Sequence, residues 1–134
     1  MSLRRVTPVL ALAVMLTSCG DESSYDAAKT GLRVWLAAAH KGDEEACGHM
    51  TAEYRRLLSA ATSADALATE CDLVLAAVAS DAMPALPPAN AAMNVPAWDP
   101  SGEALIEVTS DDSKRARFWM QWDGDRWLVA GREK

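Results

Sequence analysis

Positive charge is scarce in this chain of 134 residues: 13 Lys and Arg stand against 19 Asp and Glu, for a formal net charge of −6. A surface of that sign repels phosphate backbones, so nucleic acid is not expected as a partner. Long apolar runs are missing too. The nearest approach, Val6 to Leu16, is eleven residues long, whereas a helix needs about 20 to cross a bilayer. Pro8 inside that run also opposes a rigid spanning helix. Histidine occurs only at His40 and His49, and no His-Glu-x-x-His spacing exists. Zinc needs three or four placed ligands, so both rings read as surface or cap residues. His40 is expected to face solvent near a helix end, within reach of the C-terminal dipole. Cysteine occurs three times and never as Cys-x-x-Cys, which argues against a redox or metal pair. No metal and no cofactor is expected.

What the chain does have is concentrated first at its N-terminus. Arg4 and Arg5 precede the apolar run, and a small-residue site follows it, the order of a secretory signal peptide. Leu16-Thr17-Ser18-Cys19 ends that segment in a thiol and resembles the lipobox of bacterial lipoproteins. The resemblance implies a diacylglyceryl group on the Cys19 sulfur and cleavage just before it. Acyl chains contribute roughly 0.8 kcal/mol per buried methylene, and two or more chains anchor stably. Residues 1–18 are then a signal peptide, 19–24 a lipidated tether and 25–134 the folded domain, held at the extracytoplasmic face of the cell membrane. Removing 18 of 134 residues leaves 116, enough for one domain. Arg4 and Arg5 leave with the signal, so the net charge moves from −6 to −8. With Cys19 committed to lipid, Cys47 and Cys71 remain as one disulfide pair in an oxidising compartment. Closing that 24-residue separation is expected to stabilise the fold by roughly 3 to 4 kcal/mol.

Along the domain, apolar spacing predicts helices first. Tyr25, Ala28, Leu32, Trp35, Leu36 and Ala39 mark one from Tyr25 to Lys41, with Ser24 as N-cap and Gly42 as a left-handed C-terminal cap. Asp43 can cap a short helix over Glu44 to Gly48, and Thr51 a third running through Tyr54, Leu57 and Leu58. A fourth is expected from about Ser63 to Met83, with Leu67, Cys71, Val74 and Val78 on one stripe and Pro84 stopping it. The disulfide would clip the second helix onto the fourth.

Beyond a connector at Ala85 to Asn90, four strands are predicted: Ala91–Trp98, Glu103–Thr109, Lys114–Trp122 and Arg126–Gly131. Asp123-Gly124 suits a two-residue hairpin turn, pairing Trp122 with Asp125, Met120 with Trp127 and Phe118 with Val129. Phe118, Met120, Trp122, Trp127 and Val129, continued by Ala104, Ile106 and Val108, then form the core face. Arg117, Trp119, Gln121, Arg126 and Leu128 form the other. Helices on one face of a curved antiparallel sheet of about four strands make an α+β domain.

Trp35-Leu36-Ala37-Ala38, Gly42-Asp43, Ala46-Cys47, Tyr54-Arg55-Arg56-Leu57-Leu58, Glu70-Cys71, Gly102-Glu103-Ala104 with Ile106 and Val108, and Asp123-Gly124-Asp125-Arg126-Trp127 follow in an order that resembles the NTF2-like (SnoaL-like, cystatin-like α+β) superfamily, specifically its small actinobacterial lipoproteins. The resemblance implies a curved sheet around a long helix enclosing a cone-shaped cavity, and sheet faces that often dimerise. Members range from isomerases and dehydratases to non-enzymatic binding and assembly domains. This chain lacks the superfamily's usual early strand pair between its helices, a departure that bears on whether a deep pocket can form.

Acid–base catalysis in such a cavity needs an inward carboxylate, yet the predicted inward positions on the later strands are all apolar. Glu103 and Glu107 fall on the outer face, and Asp125 at the hairpin end. The expected function is therefore non-catalytic: binding a small apolar ligand or an envelope protein. The alternative is a cavity enzyme of isomerase or dehydratase type. Trp119 opposite Leu128 on the outer face, ringed by Arg117 and Arg126, resembles an interface centre, and homodimerisation through it is the first partner expectation. Arg55 and Arg56 are expected to pair with acids or stay solvated.

Overall fold

The computed structural model describes residues 24–60, 69–80, 85–99 and 101–133. Cys19 and the expected signal peptide, with the expected tether up to residue 23, lie outside them. Helix α1 spans Tyr25–Lys41; the Ser24 hydroxyl accepts from the Ala27 amide at its start, and Gly42 ends it at φ 66°. That left-handed conformation suits glycine because no Cβ crowds the carbonyl. Helix α1 buries Ala28, Leu32, Trp35, Leu36 and Ala38 against the sheet. Tyr25 departs from this stripe and is half exposed, because it begins the helix at the sheet's margin. Gly31 lets α1 approach closely: a Cβ there would stand 3.3 Å from the Trp127 Cβ.

Three short helices form a second group. Helix α2 is Glu45–Gly48, with the Asp43 carboxylate accepting from the Glu45 amide. Helix α3 is Ala52–Ala60, with the Thr51 hydroxyl accepting from the Tyr54 amide. Tyr54 and Leu58 are buried; Leu57, expected on the same stripe, points into solvent. Helix α4, Glu70–Val78, starts later than the predicted Ser63. Thr69 is extended and forms a capping box with Asp72, which satisfies two end amides reciprocally and makes Glu70 the first helical residue. Ala79 closes the helix, well before the predicted Met83. Ser63, Leu67, Met83 and Pro84 lie outside the described residues.

The disulfide joins Cys47 of α2 to Cys71 of α4, with Cα atoms 5.9 Å apart. Arg55 reinforces the same junction. Its Nη1 donates to the Cys47 and Met50 carbonyls at 3.0 and 2.6 Å, and its Nε to Glu70 at 3.2 Å. The guanidinium thus satisfies carbonyls at the end of α2 while pairing with the first turn of α4.

Strands β1 (Ala92–Asp99), β2 (Glu103–Thr109), β3 (Arg115–Trp122) and β4 (Trp127–Glu133) form one antiparallel sheet in sequential order, curved and unclosed. With the helices on one face, the domain is α+β, consistent with an NTF2-like arrangement. Where the sequence offers no early strand, His49 to Thr51 run beside β4 instead. The Val129 amide donates to the His49 carbonyl, and the Thr51 amide to the Val129 carbonyl, at 2.8 and 2.9 Å. At the opposite edge, β1 shifts register between Asn94 and Ala97, around Pro96. Such irregularity blunts an open edge against further strand pairing.

The β3–β4 hairpin differs from the two-residue turn. Trp122 pairs with Trp127, Gln121 with Leu128 and Met120 with Val129. The Asp123 carboxylate accepts from the Asp125 and Arg126 amides, both at 2.8 Å, so the loop runs from Asp123 to Arg126. These hydrogen bonds hold the Asp123 carboxyl below the usual carboxylate range. Up to Met120 the pairing moves by two residues, and an even shift keeps each side chain on its face; past the register shift between Trp119 and Met120, Phe118 meets Arg132 and not Val129. The core face therefore stands as predicted, with Ala104, Ile106, Val108, Phe118, Met120, Trp127 and Val129 buried.

Candidate functional site

The space between α1 and the sheet is packed with side chains. Trp35, Leu32, Leu36, Ile106, Phe118, Met120 and Val129 are all fully buried there, and Trp35 meets Phe118 edge to face at 5.7 Å between centroids. The indole N–H groups of Trp35 and Trp127 are buried with no acceptor, a cost of about 1–3 kcal/mol each in a dry setting. Among the described residues Glu107 is the one buried charged group, and it lies on the outer face.

Beside this interior sits a pair that sequence reasoning missed. Arg132 lies across from Phe118 on β4, with its guanidinium 5.2 Å from the Phe118 ring and its Nη2 donating to the Ala85 carbonyl at 3.2 Å. Burial pushes the Tyr54 phenol up, with the Arg132 charge working against it, and burial pushes Arg132 down. No local sequence signal links Tyr54 to Arg132, since α3 and β4 meet only in the tertiary structure. His40 stays exposed as expected, and its Nε2 lies 2.8 Å from the Pro87 carbonyl. His49 faces Glu45 at 3.7 Å. Among the described residues no group of three or more His, Cys, Asp or Glu side chains could hold a metal ion, and no helix is long and apolar enough to cross a membrane.

Surface clefts ring the domain. One of about 750 Å³ runs between Pro87, Pro88, Asp111, Arg115 and Arg132, and one of about 450 Å³ lies between His40 and Leu86. A smaller cleft of about 290 Å³ is lined by Tyr25, Lys29, Asn94, Val95 and Trp98.

The outer face of the sheet, which none of the described helices covers, keeps only part of its predicted arrangement. Trp119 stands opposite Gly131, not Leu128: the longer hairpin loop moves its partner by two residues and the register shift between Trp119 and Met120 by one more. Leu128 faces Gln121, which places it diagonal to Trp119 on the same side, within reach of long side chains. A Cβ on Gly131 would touch nothing within 4 Å, so the space over that glycine is open. Trp119 is 38% exposed. Arg117 is not a loose rim charge: its Nε donates to Glu107 at 3.0 Å and its Nη1 to Glu133 at 3.5 Å, tying β2, β3 and β4. The hydrogen bond that Arg117 donates to Glu107 chiefly holds the Arg117 pKa up. Arg126 stands apart, exposed in the hairpin loop.

Compared with known proteins, the chain matches no family model, no curated protein and no solved structure.

Proposed function

We propose that this chain is an extracytoplasmic lipoprotein of NTF2-like type, anchored through Cys19, whose domain acts without catalysis as a protein-interaction module. The observation that carries the reading is the contrast at Trp119. A half-exposed indole across from Gly131 sits on a face without helical cover, while the helix side of the sheet is filled by its own side chains. Trp beside Arg is the composition favoured at interface centres. The first partner is a second copy of the chain through this face, with an envelope protein or a small apolar ligand as the other occupants.

A cavity enzyme is the competing reading. The group it would have to enlist is the Tyr54 phenol beside Arg132, since the inward positions of β2, β3 and β4 carry no carboxylate. Two measurements test the proposal. Intact mass of the protein extracted from membranes should show diacylglyceryl on Cys19, and Cys19→Ala should move the chain out of the membrane fraction. Sedimentation of detergent-solubilised protein should give a dimer that Trp119→Lys converts to monomer; unchanged sedimentation removes the homodimer.

A further inference from the structure

We infer that the Tyr25–Trp98 cleft seats the domain on the headgroup layer of the bilayer that holds Cys19, an inference that rests on the lipid-anchored reading. Tyr25 and Trp98 are 50% and 54% exposed, and they line one cleft with Lys29, Asn94 and Val95. Trp98 pairs with Ala104, whose side chain is buried, so the indole lies on the helix side of β1 but beyond the packed core. Large apolar rings left in water this way mark a contact surface.

The chain itself limits what that contact can be. Tyr25 follows Cys19 by six residues, a span of at most about 20 Å when fully extended. Helix α1 starts at Tyr25 under its Ser24 cap, so the cleft, formed at the first two turns, is the part of α1 nearest the lipid. The far end of a 17-residue helix lies about 25 Å away along its axis. Tyrosine and tryptophan suit the membrane–water boundary because each ring is apolar with one polar atom. Lys29 and Asn94 add donors that match phosphate and ester oxygens. The processed chain carries a net charge of −8, so attraction to anionic lipid is not the driving force. Docking should hold on zwitterionic phosphatidylcholine and change little with salt.

The test uses the mature lipidated protein in phosphatidylcholine vesicles whose acyl chains are brominated near the headgroup. Bromine quenches only nearby indoles, and Trp98 is one of five tryptophans. The expected result is partial quenching that persists at high salt, is lost in Trp98→Phe, is retained in Trp119→Phe and weakens in Tyr25→Ser. Undiminished quenching in Trp98→Phe, or none in the parent protein, overturns the docking. Absent quenching with a sedimentation coefficient that falls in Tyr25→Ser gives the cleft to a second copy and also overturns it. Intact mass of the same sample separates the two readings. A bare Cys19 overturns the anchor and the docking with it, whereas a lipidated Cys19 without quenching overturns the docking alone.

Discussion

On β3, Ala116, Phe118, Met120 and Trp122 face the helices, while Arg115, Arg117, Trp119 and Gln121 face away. Phe118 and Met120 are fully buried; Trp119 is not. Burial here follows cover rather than ring size, since Trp35 and Trp127 lie inside while an identical indole remains outside. Inside, the stabilising force is apolar area removed from water and close contact with α1. Outside, strands are held by ladder hydrogen bonds and the Glu107–Arg117–Glu133 chain, and apolar surface is left over. A partner gains most from binding where such area is still unburied, which is the ground for proposing the outer face as the interaction surface.

Phe118→Ala is the strongest way to break this contrast. It removes the ring that packs on Trp35 and lies under Arg132. Loss of a buried aromatic should lower stability by about 3–5 kcal/mol, read as a lower urea midpoint. A cost below about 1 kcal/mol, the level of an ordinary surface change, would mean that the helix side is not where the stability resides.

Replacing both Cys47 and Cys71 by Ser tests the helical layer without touching the sheet. A closed 24-residue separation contributes about 3 kcal/mol in the chain-entropy model, so the double variant should unfold at correspondingly lower urea. Arg55 still bridges α2 and α4 in that variant, and the sheet signal should survive at neutral pH.

Alkaline pH sharpens the comparison through Tyr54. Burial raises its pKa in the folded state, so the native protein keeps the phenolic proton after the unfolded chain has lost it. Stability from this group is complete below the ordinary tyrosine range and is lost as pH rises through the folded value. The urea midpoint of the parent protein should therefore fall faster above that range than the midpoint of Tyr54→Phe. Parallel decline in both proteins would show that the phenol is not held neutral by the core.

Much of this architecture is legible because its signals are local. Ser24, Gly42 and Thr51 announce helix ends by their own chemistry, and alternation along β2 and β3 separates the faces even with the hairpin register two residues off. Apolar spacing through an alanine-rich stretch predicts an earlier start for α4 than the one the Thr69–Asp72 capping box sets. Asp-Gly alone predicts a two-residue turn, whereas the Asp123 carboxylate accepts from two further amides and widens the loop. Trp119 was legible as an outer residue, yet its true neighbour Gly131 depends on a register shift that no dipeptide signals. Tyr25 with Trp98, and Tyr54 with Arg132, are invisible to any pattern of spacing because each pair spans elements distant along the chain.

Trp119→Lys should have the smallest effect on stability and the most direct bearing on function. The residue is partly exposed, its cross-strand neighbour Gly131 has open space around it, and its other neighbour, the buried Leu105, keeps its backbone ladder pairing in the variant. Surface substitutions of this kind usually stay within about 0.5 kcal/mol, so the urea midpoint should hardly move in the monomer. A lysine there places a solvated ammonium where an interface would need a dry ring, which a partner can accept only at a desolvation cost. Unchanged monomer stability together with lost association would separate the two faces into one that folds the domain and one that recognises. If stability instead fell as far as in Phe118→Ala, Trp119 would be part of the packing, and the outer face would lose its claim to a partner.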